Sequence, residues 1–133
     1  MAYISFDKQQ PVNLEFTMNK EILRSNRSGA FYNTTIIGCN TRKYHGLLVV
    51  PQPQLDNNNH VLLSSIDETI IANKEEFHLG VHEYRDGTVA PRGHKYLRAF
   101  TAEPIPKLVF RIGSSVLSKE DIFAEKEPRI LIR

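Results

Sequence analysis

The apolar residues of this chain recur at every second position or in short blocks, and turn-forming residues separate these segments about every ten residues. Alternation at period two places every second side chain on the same face of a strand, whereas a helix requires a spacing of three or four. No long segment shows the helical spacing. The pattern therefore predicts an all-β protein of about eight short strands, arranged as an antiparallel β-sandwich.

Turn residues set the predicted limits of the strands. Residues 12–18 alternate apolar and polar side chains, which is typical of a half-buried strand, and residues 44–51 form a denser apolar strand that ends at Pro51. Asp86-Gly87 is a dipeptide that favours a tight hairpin turn with positive φ at both central residues. The segment 60–70 has a partly helical alternative to its predicted strand. The other predicted strands lie within residues 20–26, 60–73, 74–84, 95–101, 107–125 and 129–133.

Composition excludes several classes of function. The net charge is only +2 and the basic residues are scattered singly, so the basic patch typical of nucleic-acid-binding proteins is missing. No apolar run approaches the roughly 20 residues that span a bilayer. Asp7 and Lys8 interrupt what would be the apolar core of a signal peptide, and the single cysteine cannot form an internal disulfide. We therefore expect a cytoplasmic protein that binds neither nucleic acid nor membranes.

Two pairs of residues could in principle support catalysis, but the sequence around each pair argues against it. Cys39 and His45 could act as nucleophile and base, but a thiol beside an apolar segment is usually a small core residue. Asp67 and Glu68 are adjacent, so on a strand their side chains point to opposite faces and cannot flank one glycosidic bond. We predict no catalytic residue in this chain.

The histidines of the middle segment raise the question of a metal site. His78, His82 and Glu83 lie close together in the sequence, with His94 further on. His78 and His82 are four residues apart, which is about 13 Å along a strand. Two imidazoles at that separation cannot reach one ion with bonds of about 2 Å unless the backbone folds sharply. We predict solvated histidines, no metal site and no cofactor.

Residues 39–50 run from polar side chains directly into an apolar strand. If the strand begins near Asn40, Arg42 and Tyr44 lie on the same face of it. The arginine offers a planar fork of donors and the tyrosine a ring with a hydroxyl. This combination suits sugar hydroxyls or a carboxylate from another domain.

The same residues have a purely structural interpretation. Asn40 and Thr41 would close a turn, Arg42 would pair with an acid and Tyr44 would pack at the edge of the sandwich. Spacing alone favours this interpretation and leaves the binding interpretation open.

The last strand of the chain ends abruptly. Residues 129–133 are largely apolar and stop without a turn, a cap or a polar tail, whereas domains usually finish with a segment that can fray harmlessly. We expect the chain to be an incomplete domain of something longer.

Residues 25–50 resemble a segment of bacterial and archaeal glycogen debranching enzymes that contains the motif N-T-R-x-Y-H-G-L-L-V. The resemblance continues through residues 62–70, which are similar to the family's L-S-x-x-E-E-T. It continues again through residues 78–123, which are similar to a G-x-x-x-P-x-G-x-x-x-L-x-x-F-x-x-x-P-x-P segment and the strand pair that follows it. Nearly the whole chain is covered.

This resemblance implies that residues 1–133 are an N-terminal β-sandwich domain of the supersandwich type, which precedes a catalytic (α/α)6 barrel. The carboxylates that hydrolyse the α-1,6 branch glucoside lie in that C-terminal barrel, which is absent here. The implied partners are the catalytic domain of the same enzyme and glycogen or another branched α-glucan. A 4-α-glucanotransferase activity of the parent enzyme stays open.

The motif matches the family position by position at six residues, which we take as candidates for a domain-interface or glucan contact. The chain departs from the family where a glycine-rich N-G-x-G-G is expected and Asn26-Arg27-Ser28-Gly29-Ala30 stands instead. Side chains at Arg27 and Ala30 restrict the backbone there, so the turn is expected to differ. The six candidates are Asn40, Thr41, Arg42, Tyr44, His45 and Gly46.

Three hypotheses of function follow. In the first, the chain is the non-catalytic part of a debranching enzyme and braces its barrel. In the second, it is a stand-alone carbohydrate-binding module, although it has no Trp on which a sugar could stack. In the third, it is a structural domain that self-associates into a homo-oligomer through its final strand.

Overall fold

The computed structural model describes residues 3–6 and 13–133, which fold as strands joined by short turns. One short α-helix, α1 (Leu14–Met18), and one 3₁₀ helix (Gly93–Tyr96) interrupt them within this part of the chain. The strands are β1 (Tyr3–Ser5), β2 (Glu21–Ser25), β3 (Phe31–Thr35), β4 (Gly46–Gln52), β5 (Asn58–Leu63), β6 (Thr69–Ala72), β7 (Glu75–His78), β8 (Val81–Glu83), β9 (Val89–Arg92), β10 (Leu97–Thr101), β11 (Lys107–Ile112), β12 (Ser115–Phe123) and β13 (Ile130–Ile132).

Two larger sheets and two separate hairpins account for these strands. The five-stranded sheet has the order β1-β10-β11-β12-β13, and the four-stranded sheet has the order β2-β3-β4-β5. Strands β6 and β7 form one hairpin, and β8 and β9 form the other. Every pairing is antiparallel. The prediction of an all-β, antiparallel protein is confirmed.

Both sheets contribute to one hydrophobic core. The four-stranded sheet supplies Ile22, Tyr32 and Leu47, and the five-stranded sheet supplies Leu97 and Phe110, all of them buried. These side chains belong to one contiguous cluster. The two sheets therefore cover each other's apolar faces, as the sandwich prediction requires.

The strand predicted over residues 12–18 is wrong for the residues that the structure describes, because residues 14–18 form helix α1. Val12 lies outside the described residues. The Asn13 side chain accepts a hydrogen bond from the Phe16 N–H at 3.0 Å and so caps the first turn of the helix. Leu14 and Met18, one helical turn apart, pack against the core. Two residues four positions apart lie on the same face of a strand, and they also lie on the same face of a helix, so this spacing alone does not distinguish the two.

Pro51 does not end its strand, because β4 continues to Gln52. Pairing of β3 with β4 reaches only as far as Val49, whereas pairing of β4 with β5 continues to the end of the strand. Pro51 therefore stands where β4 has a neighbour on one side only. A residue without an N–H is tolerated at such an edge position.

Residues 60–73 contribute strands, and the helical alternative for residues 60–70 is wrong. Strand β5 ends at Leu63 and β6 begins at Thr69. The segment 74–84 is divided between two hairpins, since β7 ends at His78 and β8 begins at Val81.

Candidate functional site

Residues 40–45 form a turn that leads into β4. The strand begins only at Gly46, and the His45 N–H donates to the Arg42 carbonyl at 3.1 Å. The strand predicted over residues 44–51 therefore begins two residues later, and the condition that it begins near Asn40 is not met, so Arg42 and Tyr44 do not lie on a common strand face. The turn forms because its own groups hydrogen-bond to one another: the Thr41 N–H donates to the His45 side chain, and the His45 N–H donates to the Arg42 carbonyl.

Asn40 ties the turn to two other parts of the fold. Its Nδ2 donates to the Ser64 carbonyl at 2.9 Å and lies 3.0 Å from the Ser64 hydroxyl. Its Oδ1 accepts from the Thr34 hydroxyl at 2.8 Å. One amide thus joins β3 to the segment that follows β5.

The His45 side chain is fully buried under the turn. Its Nδ1 accepts a hydrogen bond from the Thr41 N–H at 2.9 Å, so the neutral ring carries its proton on Nε2. Burial lowers the pKa of His45 below its usual value, the Arg42 charge lowers this pKa further, and the Glu21 carboxylate opposes both effects. His45 is therefore neutral at physiological pH and fixes the turn as a hydrogen-bond acceptor.

Glu21, at the start of β2, is the charged partner of the turn. Its Oε1 lies 2.7 Å from Arg42 Nε and 3.4 Å from His45 Nε2, and the second of these contacts is not a hydrogen bond. Arg42 keeps 72% of its side chain exposed. The structural interpretation of Arg42 as the partner of an acid is thus what the structure contains, but the exposed side chain also leaves donors free for a ligand.

Gly46 is required by close packing between β4 and β5. A Cβ built on it would lie 2.8 Å from Val61 Cγ1 and 3.2 Å from the Leu63 carbonyl oxygen. Both distances are shorter than ordinary van der Waals contact. The glycine therefore allows β5 to lie directly against the end of the turn.

The outer part of the turn carries Thr41, Arg42 and Lys43, which are exposed, and Tyr44, which is half-buried. Lys43 Nζ lies 5.3 Å from the centre of the Tyr44 ring. The six candidate residues thus divide into two groups. Asn40, His45 and Gly46 hold the turn from below, and Thr41, Arg42 and Tyr44 face outward.

This outward group offers donors, an acceptor and a ring. Arg42 is a donor fork, Glu21 is an acceptor beside it, and Tyr44 supplies an aromatic surface with a hydroxyl. Such a set can bind vicinal hydroxyl groups or a polar protein surface. It contains no nucleophile paired with a base.

The other groups considered in the sequence lie elsewhere in the fold. Cys39 is buried, and burial raises the pKa of its thiol, so it is a neutral core residue. Asp67 binds His82 Nε2 at 2.7 Å, whereas Glu68 lies 2.7 Å from Lys119 Nζ. The two adjacent carboxylates therefore have different partners and do not face one another across a cleft.

No cluster of three or more His, Cys, Asp or Glu side chains suited to a metal ion occurs in residues 3–6 and 13–133. His78 contacts Thr69 and Glu76, and His82 contacts Asp67. The prediction of a solvated histidine is wrong for His94, which is buried. Within the same described ranges, no helix is long and apolar enough to cross a bilayer.

The turn between β2 and β3 is built with a single glycine. Gly29 has φ +85°, and the Asn26 Oδ1 accepts from the Ser28 N–H at 2.9 Å. The Asn26 Nδ2 donates to the carbonyls of Ala124 at 2.7 Å and Glu127 at 2.8 Å. Asn26 thus supplies the turn geometry and docks it against the connection between β12 and β13.

Linear spacing could indicate the motif but not its supports. Glu21, Thr34 and Ser64 reach the turn from three other segments of the fold. Nothing in their immediate sequence distinguishes them from other polar residues at strand ends. Only the pairing of β2, β3 and β4 brings Glu21 and Thr34 beside the turn.

A family model described as glycogen debranching enzyme N terminal matches residues 20–133. The match includes the whole turn and every strand from β2 onward. Neither the curated proteins nor the solved structures gave a significant match.

Proposed function

Because the chain belongs to the family of glycogen debranching enzyme N-terminal domains, we propose that it is the non-catalytic part of such an enzyme and presents the turn 40–45 to a second component. That component is the catalytic domain of the same enzyme or the glucan bound to it. The observation that carries the proposal is the division of the motif into a buried support and an exposed surface. A turn fixed by Asn40 and His45 presents Arg42 in a defined position.

The hydrolytic step is assigned to the other domain. Hydrolysis of an α-1,6 branch requires two carboxyl groups that flank the glycosidic bond, one as an acid and one as a base or nucleophile. The adjacent pair Asp67 and Glu68 is engaged with His82 and Lys119 instead. We propose that this domain positions and braces, in a cytoplasmic enzyme of glycogen breakdown.

Arg42 is the side chain best suited to make the contact. It is bound to Glu21 through Nε, so its position is restricted while its outer donors stay exposed. A guanidinium that is already oriented loses less conformational entropy on binding than a free one. The Arg42–Glu21 pair therefore offers a ligand a hydrogen-bond donor and an acceptor that are already oriented.

The test is Arg42→Ala in the complete enzyme, with Arg85→Ala as the matched control. Arg85 is an exposed arginine in the turn between β8 and β9. We expect Arg42→Ala to lower kcat/KM on branched glucan by about tenfold. Loss of a surface ion pair should lower the free energy of unfolding by no more than about 1 kcal/mol. Parallel losses of activity and stability, or an equal effect of Arg85→Ala, would overturn the proposal.

A stand-alone carbohydrate-binding module is the second candidate. Tyr84 is 55% exposed and Tyr3 is 58% exposed, so aromatic surface is present although tryptophan is not. Titration of this chain with glycogen and maltooligosaccharides separates the two functions. Saturable binding by the chain alone supports the module, and no binding at millimolar ligand supports the bracing role.

Self-association is a separate proposal about partners. Strand β13 lies at the edge of the five-stranded sheet, and its central residue Leu131 is 58% exposed. An exposed edge can pair with the same edge of a second copy. Light scattering that gives a dimer mass supports this pairing, and a monomer mass at high concentration argues against it.

A further inference from the structure

A cleft of about 480 Å³ opens between the β6–β7 hairpin, the start of β10 and the turn between β11 and β12. None of residues 40–46 lines it, so it is distinct from the candidate site described above. We call it the hairpin cleft. The lining residues that matter here are Glu75, Phe77, Tyr96, Arg98, Arg111 and Ser115.

Arg98 enters the cleft from a β-bulge. Leu97 pairs with Phe110 and Ala99 pairs with Val109, so Arg98 is the extra residue between two successive pairs of the ladder. A bulge redirects the side chain of the extra residue, and bulges are frequent beside binding sites. The register thus gives a local reason for the placement of this guanidinium.

The hydrogen bonds of Arg98 are incomplete. Its Nη1 donates to the carbonyls of Lys95 at 3.0 Å and Leu97 at 2.9 Å, which hold the side chain in place. Its Nε is buried and has no hydrogen-bond partner among the described residues. A buried N–H without an acceptor is unfavourable, and a bound acceptor that reaches it would remove this penalty.

Arg111 supplies a second guanidinium to the same cleft. Its Nε donates to the Gly113 carbonyl at 3.0 Å, which directs the group along the β11–β12 turn. Neither Arg98 nor Arg111 forms an ion pair with a carboxylate in the described part of the chain. Two arginines against the single carboxylate of Glu75 leave the lining with a net positive charge.

One wall of the cleft is aromatic. The rings of Phe77 and Tyr96 meet edge to face, with centres 5.9 Å apart and planes at 87°. Lys95 Nζ lies 5.0 Å from the centre of the Tyr96 ring and adds a further cation near this wall. The cleft therefore combines an apolar surface with two guanidinium forks and the hydroxyl of Ser115.

We propose that the hairpin cleft binds a small phosphate monoester that carries a ring. The guanidinium groups of Arg98 and Arg111 receive the phosphoryl oxygens, and the ring lies against Phe77 and Tyr96. Planar arginine forks match phosphate geometry, and the three terminal oxygens of a monoester can accept from both arginines and from Ser115. A volume of about 480 Å³ is in the range of small-molecule sites. This site does not depend on the function proposed for the turn 40–45.

The test is calorimetric titration of the whole chain with glucose 6-phosphate, inorganic phosphate and glucose. We expect saturable binding of glucose 6-phosphate with a Kd of about 1 mM or tighter, weaker binding of inorganic phosphate and no binding of glucose. Binding of inorganic phosphate as tight as that of the sugar phosphate would mean that the aromatic wall contributes nothing. That result would overturn the ring part of the proposal.

Arg111→Gln removes one guanidinium from an exposed position and is expected to weaken glucose 6-phosphate binding by about tenfold. Arg98→Gln should weaken it at least as much, and Arg98→Lys should restore only part of the affinity, because lysine lacks the planar fork. Arg85→Gln changes net charge equally outside the cleft and should leave the affinity unchanged. Far-ultraviolet circular dichroism and thermal melts check the fold of each variant.

If Arg85→Gln lowers the affinity for glucose 6-phosphate as much as Arg111→Gln does, the effect is due to net charge alone and the proposed site is overturned. If titration of the native chain with glucose 6-phosphate gives no heat of binding, the site is also overturned. If Arg98→Gln does not fold, Arg111→Gln decides the question alone.

Discussion

At the scale of single residues, the motif 40–46 works largely through side chains that point into the protein. Asn40 joins two distant segments, His45 accepts from the Thr41 N–H, and Gly46 admits β5 at close range. Substitutions at these three positions are expected to alter the shape of the turn. Substitution of Arg42 changes only what the turn presents.

His45 should make stability depend on pH. Burial lowers the pKa of His45 in the folded protein, so the unfolded chain takes up this proton first as the pH falls below the usual value of 6.5. Stability is therefore complete above 6.5 and decreases as the pH falls through the window below it. Urea unfolding of His45→Gln between about pH 7 and about pH 5 should show a shallower loss of stability than the native chain.

The comparison isolates His45 from the second buried histidine. Burial also lowers the pKa of His94, but His94 is present in both proteins and its contribution cancels in the difference. Equal pH dependence of the native chain and His45→Gln would show that the imidazole is accessible to protons in the folded state.

The sequence could predict which residues form the motif but not how they divide between interior and surface. A strand from Asn40 would have placed His45 opposite Arg42 in alternation. The turn instead buries His45 beneath Thr41, because the Thr41 N–H donates a hydrogen bond to the His45 imidazole. Glu21 could not be predicted at all, since its position beside Arg42 depends on strand pairing.

At the scale of secondary-structure elements, positive φ decides where the tight hairpin lies. The β6–β7 hairpin has a two-residue turn, with φ 52° at Asn73 and φ 67° at Lys74, which is a type I′ turn. In the turn predicted at Asp86-Gly87, only Gly87 has positive φ, at 85°, and the loop from Glu83 to Val89 is longer. The prediction that both central residues there have positive φ is wrong.

Lys74→Gly is expected to stabilise the protein by about 0.5 kcal/mol. A lysine in the left-handed region costs about 1–2 kcal/mol, and glycine removes this cost while adding entropy to the unfolded chain. Lys74→Val, with a β-branched side chain, should destabilise by more than about 1 kcal/mol. The free energy of unfolding in urea measures both changes.

Lys126→Gly is the matched control, because Lys126 is exposed and its φ is not positive. There glycine brings only the entropic cost, and the variant should be no more stable than the native chain. A stabilisation at Lys126 equal to that at Lys74 would contradict the explanation from backbone conformation.

Helix α1 shows why periodicity alone failed at the other end of the chain. Residues 14, 16 and 18 are apolar, which fits a strand, but Phe16 is 41% exposed and the buried residue is Thr17. The Thr17 hydroxyl bonds to the carbonyls of Asn13 and Leu14, both at 3.0 Å. A threonine can be buried in this way because the helix offers acceptors one turn back.

At the scale of the whole molecule, the alternation of apolar and polar residues predicted the all-β class of the fold. It did not predict which strands belong to which sheet. Strand β1 pairs with β10, which lies almost a hundred residues further along the chain, while β2 to β5 follow one another in order. Consecutive antiparallel strands are specified by their turns. A pairing between distant strands is specified only by the core that both of them cover.

One buried polar contact joins the two sheets across that core. The Tyr32 hydroxyl, from β3, donates to Asp121 Oδ2, from β12, at 2.9 Å, and both residues are 2% exposed. The other oxygen of Asp121 has no hydrogen-bond partner among the described residues. Burial raises the pKa of Asp121, whereas the Lys119 charge and the Tyr32 hydrogen bond lower it. Tyr32 is therefore a main support of the charged carboxylate.

Tyr32→Phe is expected to lower the free energy of unfolding by about 1–3 kcal/mol at neutral pH, because it removes the hydrogen bond of a buried carboxylate. The pKa of Asp121 in the folded state, already above its ordinary value of 3.8, should rise further. An acid with a raised pKa in the folded state loses stability as the pH rises through the window above 3.8. The deficit of Tyr32→Phe should accordingly shrink as the pH falls toward that value.

Urea unfolding of Tyr32→Phe, Asp121→Asn and the double variant forms a cycle that measures the contact itself. Tyr44→Phe, the loss of a hydroxyl at the surface, is the matched control and should cost little. We expect a coupling of about 1 kcal/mol or more between Tyr32 and Asp121, since two residues in direct contact are rarely additive. Additive effects, with a deficit that does not change with pH, would mean that the Tyr32–Asp121 contact contributes nothing to the joining of the two sheets.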